Sequence, residues 1–146
     1  MEEYICIKLK KNNLKDWKKH LSSNQIEQLD SDLDDYVWHS VTKDKKVLAI
    51  FQIIDVLNKY AKNLDIRFHP TQTTQNKDDE EIINIIIFIF NSIVDICDNN
   101  KIKKFKIHTH DYLMVHIFGF LSYKYEKGKI IKSAKTYGKW VEVELL

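Results

Sequence analysis

Residues Leu64 to Glu81 read LDIRFHPTQTTQNKDDEE, and this stretch decides the fold. Leu64 to His69 alternates apolar and polar residues, the period of a half-buried strand. Pro70 to Lys77, PTQTTQNK, reads as a polar loop. Asp78, Asp79, Glu80 and Glu81 then open an apolar run that continues to Cys97. Acids in a first turn complement the helix dipole, so Asp78 to Cys97 reads as a helix. It is apolar on nearly all sides and must be buried. Strand, loop and buried helix in this order build an α/β sheet. In many α/β enzymes such a junction holds a phosphate. That use needs close backbone N–H groups, hence glycine, and an uncovered positive helix end. Here the loop has no glycine and four carboxylates stand at the helix start. The order of elements is that of an enzyme, but a pyrophosphate cradle at this loop is argued against.

Upstream, Tyr4 to Leu9 reads as a strand. Leu14 to Leu21 reads as a short amphipathic helix with Asn13 as its N-cap. Ile26, Leu29 and Leu33 mark a second helix whose other face is Glu27, Asp30, Asp32, Asp34 and Asp35. Residues 36–61 admit two readings. Val47, Ile50, Phe51, Ile54, Leu57 and Ala61 recur at helical spacing. The same residues also form two strands, Tyr36 to Thr42 and Lys46 to Asp55, around a turn at Lys43-Asp44-Lys45. The β-branched and aromatic residues of Tyr36-Val37-Trp38 and Val41-Thr42 favour the hairpin. Downstream, Lys103 to His108 alternates as a half-exposed strand, and His110 to Phe118 reads as a short helix. Phe120 to Lys127 and Lys139 to Leu145 read as strands joined by a loop containing Gly128 and Gly138.

At 146 residues, with 44% hydrophobic and 30% charged, the chain predicts one α/β domain over residues 1–146. Cys6 and Cys97 lie in apolar segments and read as buried thiols of a reducing compartment. The N-terminus has no signal-peptide apolar region. The run from Ile82 to Ile96 is interrupted by Asn84, Asn91, Ser92 and Asp95, and is shorter than the roughly 20 residues a membrane span needs. These features predict a soluble, cytoplasmic protein with no membrane partner. Charge is uneven. Residues 26–100 hold 7 basic and 14 acidic residues, a balance of −7, and residues 101–146 hold 10 and 4, a balance of +6.

From about Val37 onward the order of elements resembles the GNAT-type N-acetyltransferases. Three pieces carry the resemblance: KDKKVLAIFQI, like the family's turn and central strand; NKIKKFKIHT with the helix ending in Phe118-Gly119-Phe120, like its late strand, helix and GF corner; and Tyr137-Gly138-Lys139-Trp140-Val141-Glu142-Val143, like its closing strand. The resemblance implies a GNAT-like mixed central sheet flanked by helices. It also implies an acyl-CoA loop, a helix Asn and a general-acid Tyr that this chain lacks. Thr71 to Lys77 does not match the family's Gln/Arg-x-x-Gly-x-Gly/Ala loop. Counting back from Gly119 places Val115 at the Tyr position and His108 at the Asn position. Tyr112 or His116 would have to substitute as acid.

Other constellations give weaker signals. His108-x-His110-Asp111 with His116 suggests a metal, but no second spaced ligand pair follows, so a polar helix junction is the better reading and no metal is expected. Cys97, beside Asp95 and Asp98, lacks the cationic setting of a reactive thiol. The lysine-rich C-terminal third interleaves with Tyr123, Tyr125 and Tyr137, yet a pI of about 8.4 and a single arginine, Arg67, argue against a nucleic-acid partner.

Two functions follow. In the first, the chain is a non-catalytic GNAT-like module without cofactor, concretely a bacterial immunity protein (antitoxin). Glu27, Asp30, Asp32, Asp34 and Asp35 would then meet a basic toxin domain. In the alternative it is an acyl-CoA-dependent N-acetyltransferase with a divergent cofactor loop, using acetyl-CoA and Tyr112 or His116.

Overall fold

The computed structural model describes residues 4–9, 22–24, 27, 38–54, 59–63, 65–68, 79–108, 116–121 and 130–146. The strands are β1 (Ile5–Lys8), β2 (Trp38–Lys43), β3 (Lys46–Gln52), β4 (Tyr60–Asn63), β5 (Ile66–Phe68), β6 (Lys104–His108), β7 (Ile131–Tyr137) and β8 (Trp140–Leu145). Helix α1 spans Asp79–Asn99, and α2 covers residues 116–121. Among the described residues the strands form two four-stranded sheets, ordered β1-β2-β3-β5 and β4-β6-β8-β7. Every pairing among the described residues is antiparallel except β4 with β6. This is the mixed α/β architecture the sequence predicts.

Of the two readings for residues 36–61, the hairpin is the one observed. Lys43 pairs with Lys46, and the two loop residues, Asp44 and Lys45, have φ of 53° and 66°. Positive φ at both central residues gives a turn whose twist matches that of the strands. The hairpin between β7 and β8 also has a two-residue loop, but there only the first loop residue, Gly138 at φ 53°, has positive φ.

One face of both sheets is the inner face, covered by α1. Ile85, Ile86, Ile89, Phe90, Ile93 and Cys97 are buried there, in one apolar cluster with Phe51, Ala61, Phe105 and Ile107. The Phe90 ring lies 6.1 Å from Phe105 and 5.9 Å from Phe118, so α2 packs on the same face. The helix expected from Asp78 to Cys97 is therefore found and buried as its composition requires. Lys101, at φ 57°, ends it. The Ile102 N–H donates to the Cys97 carbonyl at 2.8 Å and the Lys101 N–H to Asp98 at 3.1 Å, the paired bonds of a left-handed helix cap. The Cys97 thiol is fully buried, while Cys6 is half-buried.

Three expectations need correction. The chain forms a strand at Tyr60–Asn63, before the expected strand at Leu64–His69, of which the described residues 65–68 form a strand at Ile66–Phe68. Phe120 and Leu121 continue helix α2 rather than begin a strand. The loop expected before Lys139 contains β7. Its period-2 signal, IKSAKTY, is weak because its two core residues, Ile131 and Ala134, do not alternate in phase. The helices expected at Leu14 to Leu21 and at Ile26 to Leu33, the loop Pro70 to Lys77 and most of the strand Phe120 to Lys127 lie outside the described residues. Among the described residues, no helix is long and apolar enough to cross a membrane.

Candidate functional site

The two sheets meet in one run of chain. β4 lies parallel to β6, with Ala61 beside Phe105 and Asn63 beside Ile107. A few residues later the same chain, now β5, pairs instead with β3, Ile66 opposing Phe51. β4 is also laced to the end of β3. Ile54 and Lys62 exchange backbone hydrogen bonds of 2.9 and 3.0 Å. From Ile54–Lys62 to Phe51–Ile66 is three steps along one strand and four along the other. One extra residue is thus inserted between β4 and β5, a β-bulge, which bends a strand and strengthens its twist.

The bulge has a consequence on each side. Ala61 and Ile66 both face the α1 core although five residues apart, which an uninterrupted strand forbids. And the parallel pair ends: beyond Asn63 and Ile107, β5 follows β3 while β6 follows β8, where His108 pairs with Trp140. The sheet opens as a wedge. Among the described residues no strand pairs the far edge of β5. The Gln52 N–H donates to the Asp65 carbonyl at 3.3 Å, so Asp65 and Arg67 direct their backbone groups to β3. By the alternation of an antiparallel ladder, the N–H groups of Ile66 and Phe68 point into the wedge.

Asn63 sits at the apex. It is 1% exposed, and its Nδ2 donates to the Gln52 carbonyl at 2.7 Å and the Asp65 carbonyl at 3.2 Å. It thereby ties the last residue of β4 to the first turn of the divergence. On the outer face, opposite α1, each half of the sheet carries a tryptophan under a cation. Arg67 lies over Trp38 at 5.2 Å and is held by Asp65 at 2.8 Å. Lys106 lies over Trp140 at 4.2 Å, and the His108 ring meets the edge of Trp140 at 4.7 Å. The wedge thus has backbone donors on its β5 wall and an imidazole at the end of its β6 wall.

Of the residues singled out in the sequence, Glu27 is exposed and His116 is exposed at the start of described α2. Asp30, Asp32, Asp34, Asp35 and Tyr112 lie outside the described residues. Glu80 is exposed and Glu81 half-buried at the start of α1. No group of three metal-ligating side chains occurs among the described residues. Burial alone raises the Cys97 thiol to about 12 and, as the largest cause, also raises that of Cys6, so neither has the lowered pKa of an activated thiol. The sequence reading missed Asn63, the bulge and the donors of Ile66 and Phe68. A signal existed: in YAKNLDIRF the inward residues Ala61 and Asn63 are odd-numbered, while Ile66 and Phe68 are even.

No protein-family model and no curated protein matches the chain by sequence. Solved structures do match it in shape. An IAA acetyltransferase from Bacillus cereus superposes with a TM-score of 0.61 at 7% identity, covering 98% of this chain and 100% of that one. A putative N-acetyltransferase from E. coli bound to coenzyme A gives 0.53 at 9% identity, covering 97% and 98%. Mutant forms of the spermidine/spermine N-acetyltransferase SpeG from Vibrio cholerae give 0.55 at 14% identity, covering 97% and 92%. The chain has the GNAT-type acetyltransferase fold.

Proposed function

We propose that the protein is an acyl-CoA-dependent N-acetyltransferase and that the wedge between β5 and the end of β6 receives the acyl thioester. The observation that carries this reading is the bulged strand, which leaves one wall of backbone donors without a strand partner among the described residues. An open edge of this kind suits a ligand that is itself a chain of amides, as the pantetheine arm of coenzyme A is. The cofactor would supply an activated acyl group. The Ile66 and Phe68 N–H groups would hold the arm along β5 and stand ready to donate to its carbonyls. His108 would accept a proton from an incoming amine at the wedge mouth. Tyr112 and His116, the candidate acids for the departing thiol, belong to the segment that follows β6.

The resemblance to acetyltransferases favours this reading over a non-catalytic immunity protein. None of the neighbouring structures speaks for a toxin partner. The acidic cluster has only Glu27 among the described residues. A thermal shift with acetyl-CoA tests the proposal. At a hundredfold excess over Kd the ligand should add about 2.7 kcal/mol of stability. No shift at millimolar acetyl-CoA would remove the acetyltransferase reading.

A further inference from the structure

We infer that the outer face of the β4-β6-β8-β7 sheet is a docking surface for an acidic polypeptide segment in extended form. The inference needs no cofactor and stands apart from the acyl-transfer reading.

The cross-strand registers place Tyr60 and Lys62 of β4, Lys104, Lys106 and His108 of β6, and Trp140, Glu142 and Glu144 of β8 on the face opposite α1. Lys135 of β7 opposes Glu142, and the Lys132 Nζ reaches Glu144 at 3.4 Å. Five lysines (62, 104, 106, 132, 135) against two glutamates leave a balance of +3. Both described helices that pack on the sheet lie on its other side. The two carboxylates are already engaged, Glu142 by the Tyr60 hydroxyl and Glu144 by Lys132. Lys104 and Lys135 are exposed and make no ion pair among the described residues. Among the described residues this face keeps a net positive charge, and it is complementary to an anionic chain.

The chemistry of the face selects among polyanions. Single-stranded nucleic acid is held by open aromatic rings on which bases stack. Here the Trp140 ring carries Lys106 at 4.2 Å, and the Tyr60 ring has the ammonium groups of Lys62 and Lys106 each at 5.9 Å. Those rings serve the protein's own cations. The only arginine, whose planar fork suits phosphate, is Arg67 on the other sheet, bound to Asp65. Lysines at Lys104 and Lys106 recur at every second residue of a strand, about 6.6 Å apart. That is the spacing of same-side carboxylates on an extended peptide, so an acidic polypeptide fits best.

Fluorescence anisotropy of a labelled oligoglutamate peptide tests the inference, with a labelled oligolysine peptide and a labelled single-stranded RNA as comparisons. The wild-type protein should bind oligoglutamate in preference to both. Affinity should fall about tenfold or more in the Lys104→Glu, Lys135→Glu double variant, and again as salt rises from about 50 to about 300 mM. Circular dichroism should show the variant folded, because both side chains are exposed. Should the variant misfold, Lys135→Gln alone should still weaken binding. Absence of binding at millimolar peptide would overturn the inference. So would equal binding by the variant, or tighter binding of RNA.

Discussion

The side-chain amide of Asn63 donates to the backbone carbonyl of Gln52 at 2.7 Å, where the sheet divides. Gln52 belongs to the N-terminal sheet and Asn63 to the C-terminal one, so this bond fastens the apex of the wedge. Replacing Asn63 with Leu should leave the Gln52 carbonyl and the bulge without that donor. The expected cost is about 1–3 kcal/mol, read from the urea midpoint. Acetyl-CoA affinity should fall with it, since the wedge would lose its fixed opening angle.

The core of α1 predicts a larger effect. Ile89 is fully buried, whereas Glu80 is exposed in the first turn. Ile89→Ala should destabilise by about 2–5 kcal/mol through the cavity it leaves. Glu80→Gln should cost no more than about 1 kcal/mol, the scale of one charge against the helix dipole. Chemical denaturation of the two variants side by side separates packing from surface charge.

How far such features can be read in the sequence differs by element. α1 was legible because its apolar run has only one possible destination. The β2–β3 hairpin was legible because Tyr36-Val37-Trp38 is rich in strand formers, although a helical period ran through the same residues. The wedge was not. A bulge changes the phase of a strand without changing its composition, and the registers of Lys62 and Ile66 are fixed by partners, Ile54 and Phe51, that lie outside their own segment. Ile87 shows a smaller miss of the same kind. Nothing in the apolar run sets it apart, yet it is only partly buried against the core, while Ile85 and Ile89 are fully buried. In a helix apolar on most sides the sequence does not single out the face that meets the sheet.

His39 predicts a pH dependence. Its ring stacks on Phe51 at 5.5 Å, and burial, with the Lys8 charge adding to it, lowers its pKa from 6.5 to about 4. Between those values the unfolded chain binds a proton that the folded chain refuses. Stability should therefore fall as pH drops from 6.5 towards 4, by at most about 3 kcal/mol for this group. His39→Leu should flatten that part of the stability–pH curve. An unchanged slope in the variant would assign the effect to carboxylates instead.

The buried thiol offers a test of packing in solution. Cys97 is fully buried with its pKa pushed up to about 12. Iodoacetamide should leave it unmodified in the native protein and alkylate it in denaturant, as peptide mass mapping would show. Alkylation of Cys97 under native conditions would mean that α1 does not stay seated on the sheet.

Titration of the 15N-labelled protein with acetyl-CoA, followed by amide chemical shifts, tests the central claim most directly. The account predicts large, saturable shifts at the Ile66 and Phe68 amides on one wall of the wedge and at His108 on the other, with small changes along β7. Binding that shifts β7 and leaves Ile66, Phe68 and His108 unmoved, or no shifts at millimolar acetyl-CoA, would contradict it.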